Sequence, residues 1–142
     1  MRLEPAEARR LAAVADHAIL ATIGPDGRPD LVPACLAIDD DVVGIPIDRV
    51  KPKASSSLQR ERNVERDPRA SLLLERWDAA DWSRLWWVRL ELERSSQDAA
   101  VVARLEALLR RRYPQYATEP FVSILTFRIL RVSGWAATPP TT

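Results

Sequence analysis

A single histidine, His17, and a single cysteine, Cys35, leave little room for metal or side-chain chemistry. Structural and catalytic metal sites need clusters of such ligands, and nucleophilic triads or Cys–His pairs need both partners to hand. One cysteine makes no intramolecular disulfide, the pattern of a reducing, cytoplasmic setting. The four glycines are spaced for neither a Walker-type nor a Rossmann phosphate loop. Charge of one sign is missing too: 21 basic residues face 20 acidic ones for a net charge of +1, which excludes nucleic-acid binding through broad charge excess. No apolar run approaches the roughly 20 residues of a membrane span. The opening MRLEPAEARRLAAVADHA interrupts its apolar residues with charge, unlike a signal peptide. An enzyme built this way carries its chemistry on something bound.

What is present suits one globular domain, residues 1–137, with a short flexible tail at 138–142. The 142 residues are 46% apolar and 29% charged, enough to bury a real core. Residues 5–16 read as a helix opened by Pro5, with Leu11, Val14 and Ala15 as its apolar face. AILATIG alternates as a strand and stops at the turn GPDG. RPDLVPACLAI is a second strand, with Pro33 marking an edge or bulge. The aspartates at 39–41 turn the chain into VVGIPI, a third strand whose Gly44 and Pro46 point to an edge or to close approach by another group. Three strands on short links favour an antiparallel meander.

A polar helix follows over Ser55–Arg66, closed by Pro68, then a fourth strand, RASLLLE. In WWVRLELE one face carries Trp86, Val88, Leu90 and Leu92, and the other carries Trp87, Arg89, Glu91 and Glu93. That period of two is a strand with one wet side. SSQDAAVVARLEALLRRRYP is a capped helix with a stripe of Val102, Leu105, Leu108 and Leu109, and its three closing arginines complement the helix dipole. FVSILTFRILRVSGW is the last strand. Six strands with helices between them close most economically as an antiparallel barrel, which removes sheet edges.

The candidate site begins at Lys51 and Lys53, the only lysines among the 21 Lys and Arg residues. KPKASSS sets two ammonium groups and the hydroxyls of Ser55, Ser56 and Ser57 at a helix start, where free N–H groups already favour an anion. Arg60 lies one turn on. Asn63 is a poor helix former in mid-helix, and its amide is suited to a ligand or to an adjacent loop. Trp87 projects to the polar face of its strand, where a dimer partner or a flat conjugated ligand would give it a purpose. His17 reads as a cap or a surface residue.

KPKASSSLQRERNVERDPRASLL, DWSRLWWVR and FRILRVSGWAAT, in that order and spacing, resemble the pyridoxamine-phosphate-oxidase-like split-barrel superfamily. Within it they are most similar to the deazaflavin (coenzyme F-420)-dependent oxidoreductase branch. The resemblance implies a mainly β fold, a six-stranded antiparallel split β-barrel with flanking helices. It also implies a homodimer with cofactor sites at the interface, which would account for Trp87. The cofactor phosphate then falls on Lys51, Lys53 and Ser55, with Ser56, Ser57, Arg60 and Asn63 as neighbours. The implied activity is hydride transfer from reduced coenzyme F-420 to a small-molecule acceptor, with no catalytic side chain assigned. An FMN-binding oxidoreductase of the same fold, or a non-catalytic carrier of either cofactor, satisfies the same residues.

Overall fold

The computed structural model describes residues 1–48, 55–118 and 121–140. Among these residues, seven strands form one curled antiparallel half-barrel. They are β1 (Ala18–Ile23), β2 (Pro29–Ala34), β3 (Ala37–Asp39), β4 (Val42–Asp48), β5 (Arg69–Arg76), β6 (Trp86–Arg94) and β7 (Phe121–Ala136). They are hydrogen-bonded in the order β2-β1-β5-β6-β7-β4-β3. Three helices, α1 (Pro5–Val14), α2 (Ser55–Arg66) and α3 (Ala99–Arg112), lie around the sheet.

The strand count is therefore seven, not six, and the first strands do not form a meander. RPDLVPACLAI breaks at Cys35–Leu36 into β2, which pairs with β1, and β3, which pairs with β4. These two halves occupy opposite edges of the sheet. Three peptide steps, from Ala34 to Ala37, span at most about 11 Å. The two edges must therefore lie side by side, and the sheet has to curl. At the break the backbone leaves the ladder and finds other partners: the Leu36 N–H donates to the Tyr113 hydroxyl at 3.2 Å, and the Leu36 carbonyl accepts from Arg112 Nη1 at 3.3 Å. A buried polar backbone needs such replacements. Pro33 sits on the edge strand β2, where its missing N–H costs no ladder bond.

Alternating apolar residues fill the barrel. Leu20, Leu72, Leu74, Val88, Leu90, Val43, Ile45 and Phe127 have no exposed surface. A second cluster of Ala37, Leu105, Leu109 and Tyr116 seats α3 on the outside of β3 and β4. Gly44 makes that seating possible, because a Cβ there would stand 3.1 Å from Leu105 and from Ile124. The close approach signalled by Gly44 is thus the helix α3. Asp98 caps α3 by accepting from the Val101 N–H at 2.9 Å.

Of the apolar face of α1 expected from its sequence, Ala15 is buried and Leu11 packs half-buried against the core, but Val14 is 74% exposed; Ala8 and Ala12 are fully buried in its place. The reason is close approach. Small residues one turn apart let α1 settle on β7, where a Cβ on Gly134 would meet Ala8 at 3.4 Å and Leu3 at 3.0 Å. Upstream of α1, Arg2 bridges to Trp135 and the Leu3 N–H donates to the Gly134 carbonyl at 3.0 Å, so the chain start lies along the far end of β7. At the other terminus, Thr138 Oγ1 donates to the Ser83 carbonyl at 3.0 Å. No described helix is long and apolar enough to cross a membrane.

Candidate cofactor site

Ser55, Ser56 and Ser57 form the first turn of α2, and no acidic residue lies in that turn. The first N–H groups of a helix have no intrahelical acceptor and stand at the positive end of its dipole, so the turn is suited to an anion. Lys51 and Lys53, which precede it in sequence, lie outside the described residues. The remainder of α2 is fastened to the barrel. Arg60 is half-buried and its Nη2 donates to the Pro46 carbonyl of β4 at 3.3 Å; Arg66 Nη2 donates to the Ile23 carbonyl of β1 at 2.6 Å. The helix therefore runs from the end of β4 to the end of β1, with part of the Arg60 guanidinium committed to the backbone.

Asn63 has no exposed surface. Its Nδ2 donates to Thr22 Oγ1 at 3.0 Å and to Asp30 Oδ2 at 3.1 Å, while its Oδ1 accepts from Gln59 Nε2 at 2.8 Å and from Arg66 Nη2 at 3.3 Å. Two donor hydrogens and two lone pairs are the whole capacity of an amide side chain. These partners lie on β1, on β2 and on α2 itself, not on an adjacent loop. Replacing Asn63 with leucine should cost about 2–3 kcal/mol of stability, because Thr22 and Asp30 lose their partner in a buried setting. Urea unfolding measures this. A fully stable variant with weakened cofactor affinity would instead return Asn63 to the ligand.

Trp87 belongs to a different part of the barrel. It lies on the outer face of β6, half-buried, opposite Glu75 of β5 and Trp135 of β7. The Arg89 guanidinium covers its ring at 5.6 Å from the centroid. Two cavities meet at Trp87 and Arg89. One, of about 560 Å³, lies between the chain start and β7; the other, of about 580 Å³, is walled by Leu73, Trp77, Leu85 and Trp86. The loop between β5 and β6 brings Trp77 to the second cavity, and the rings of Trp77 and Trp82, 63% and 67% exposed, meet edge to face at 6.3 Å. Local turns hold that loop: the Asp78 carboxylate accepts from the Ala80 N–H at 3.0 Å and Asp81 from the Ser83 N–H at 3.1 Å. The Ser83 hydroxyl, and then its N–H, hold the Asp81 carboxyl below its usual pKa.

Of the residues singled out in the sequence, α2 brings together Ser55, Ser56, Ser57, Arg60 and Asn63. Trp87 lies on β6, outside that helix. β4 ends at Asp48, opposite Phe121 at the start of β7, whereas Trp87 lies opposite Trp135 near the end of β7. The sequence reading missed Arg131 and Trp135 as companions of Trp87. Their only signal was alternation along β7, and a bulge reverses it: Glu91 pairs with Arg131 but Leu92 with Ile129, leaving Leu130 as an extra residue. Among the described residues no three His, Cys, Asp or Glu side chains are grouped to hold a metal.

The curled antiparallel half-barrel, with an anion-suited helix start and an aromatic outer face, has the architecture of a split barrel. The chain superposes on a conserved hypothetical protein, Rv2991, from Mycobacterium tuberculosis with a TM-score of 0.71 and 24% identity, over 99% of this chain and 91% of that one. It superposes on an F420 reductase with a TM-score of 0.61 and 20% identity, over 87% and 94% of the two chains. An FMN-binding protein from Syntrophomonas wolfei gives 0.67 and 16%, over 93% and 86%. Structures named for heme binding or storage share the fold as well. No protein-family model matches the sequence, and no curated protein matches it. At these identities the likeness is one of fold.

Proposed function

We propose that this protein is an oxidoreductase that takes reduced coenzyme F-420 as its cofactor and passes a hydride to a small-molecule acceptor. The observation that carries the reading is the first turn of α2, three serines without an acidic residue, directly after the only two lysines of the chain. A solved F420 reductase of the same fold supports it. Lys51, Lys53 and the Ser55–Ser57 turn would hold the phosphate, with charge-assisted bonds to its oxygens. Arg60, already bonded to β4, would fix the angle of α2 beneath it. The reduced deazaflavin ring supplies the hydride, while the protein orients it and keeps water away.

The separation of Trp87 from α2 adds a second element. The working unit would be a homodimer with sites across the interface, a second copy of the chain supplying Trp87 to the cofactor held at α2. The outer sheet face has the apolar residues such a contact needs, with Leu31 61%, Leu73 41% and Trp135 38% exposed.

Titrating the protein with coenzyme F-420, and separately with FMN, while following tryptophan fluorescence tests both elements. Saturable quenching by the deazaflavin at micromolar concentrations, on a species sedimenting at twice 16.0 kDa, is the expected result. FMN is the second reading, since one phosphate and a tricyclic ring fit the same helix start and an FMN-binding protein shares the fold. Tighter binding of FMN would transfer the assignment to it, and quenching by neither would end both. A monomer that binds tightly would remove Trp87 from the site.

A further inference from the structure

Several arginines are ion-paired: Arg9 reaches Asp41 at 2.7 Å, Arg104 reaches Asp39 at 2.9 Å and Arg69 reaches Asp67 at 2.8 Å. Arg2, Arg89 and Arg131 are instead gathered around one cavity without such partners. All three line the cavity of about 560 Å³ between the chain start and β7, and no ion pair to any of them exists among the described residues. Glu91 stands directly across the ladder from Arg131 and forms no ion pair with it. Glu4 is the only acidic residue lining the cavity. The register explains the gathering. Arg89 faces Ser133, Arg131 lies two residues before Ser133, and Arg2 bridges to Trp135.

Three guanidinium groups that form no ion pair among the described residues, around a cavity with aromatic walls, are a recognition surface for an anion. Trp87 and Trp135 line the same cavity, and Trp87 also lines the neighbouring apolar one, so a flat ring has an aromatic surface beside the charges. The volume lies within the ~300–1,000 Å³ usual for small-molecule sites. We propose that this cavity binds a planar aromatic or conjugated organic acid, its carboxylate or sulfonate on Arg2, Arg89 and Arg131 and its ring against Trp87. The charged part of the site, Arg2, Arg89 and Arg131, lies outside α2; under the dimeric reading above it shares Trp87 with the cofactor, and the acid would lie beside the cofactor ring.

Anilinonaphthalene sulfonate is a suitable probe, with the uncharged N-phenylnaphthylamine as its comparison. The wild-type chain should bind the sulfonate saturably at one site per chain. The double variant Arg89→Ala, Arg131→Ala should weaken sulfonate binding roughly tenfold or more, as expected for two lost charge-assisted contacts. Binding of the neutral compound should stay within about twofold, since its contacts are apolar. Both arginines are exposed, so the variant should fold, and an unaltered thermal midpoint verifies it. Equal sulfonate affinity in the variant, an absence of saturable binding to the wild type, or equal weakening for the neutral probe would each overturn the proposal. So would a matching loss of coenzyme F-420 affinity, which would assign these arginines to the cofactor.

Discussion

Replacing Lys51 and Lys53 together with alanine is expected to weaken coenzyme F-420 binding by about 2 kcal/mol or more, roughly thirtyfold, with the fold intact. The magnitude follows from the chemistry of the contact. A hydrogen bond to a charged group contributes about 1.5–3 kcal/mol, and a flexible ammonium reaches a phosphate oxygen as a point charge. The serine turn of α2 would remain in the variant, with its N–H groups and dipole, so binding should fall rather than vanish. Ionic strength provides a second readout. Added salt screens exposed charges, so wild-type affinity should drop from low salt to about 0.15 M, and the drop should flatten in the variant. An unchanged affinity with an unchanged salt dependence would remove the lysines from the site. Arg60→Ala makes a useful contrast, because Arg60 also holds the Pro46 carbonyl and its loss should lower stability and affinity together.

Arg112→Ala is expected to destabilise the protein by about 3 kcal/mol, lowering the thermal midpoint by roughly 6–12 °C. Arg112 closes α3, and its Nη1 donates to the Leu36 carbonyl at 3.3 Å while its Nη2 donates to the Ala12 carbonyl at 3.3 Å and to that of Ala15. The Ala12 carbonyl lies in the last turn of α1, where no intrahelical donor exists. The Leu36 carbonyl lies at the break between β2 and β3, where the ladder stops. One planar guanidinium thus satisfies three backbone acceptors from two elements far apart in sequence, and it also covers the Tyr113 ring at 5.8 Å. Lysine lacks the fork and should rescue only part of the loss. The neighbouring Arg111 is exposed, and Arg111→Ala should change stability by no more than about 0.5 kcal/mol. If the two alanine variants melted together, the clamp would have no energetic weight.

Local patterns were legible. The alternation in WWVRLELE predicted which side chains of β6 enter the barrel, and Val88, Leu90 and Leu92 do. The limits of α2 at Ser55 and Arg66, the closing arginines of α3 and Leu105, Leu108 and Leu109 of its stripe follow from propensity, caps and Pro68 or Pro114, while Val101 rather than Val102 completes the stripe. The serine turn after two lysines was visible for the same reason, since a helix start is defined by residues a few positions apart. The break at Cys35–Leu36 was not visible. Nothing in PACLA marks it, and its cause is Tyr113 and Arg112, more than seventy residues away. Asn63 belongs to the same class: its propensity flagged it, but only the packing of α2 on β1 and β2 gave it Thr22 and Asp30.

The sequence by itself determined the kinds of elements, most of their limits, the scarcity of side-chain chemistry and the position of an anion-suited helix start. Each depends on a residue and its near neighbours. Only the tertiary structure decided that the described residues form seven strands, that the Leu130 bulge turns Trp135 outward beside Trp87, and that Asn63 is held by β1 and β2. Those features depend on register and on hydrogen-bond partners between distant segments, which form when the sheet curls and its edges meet.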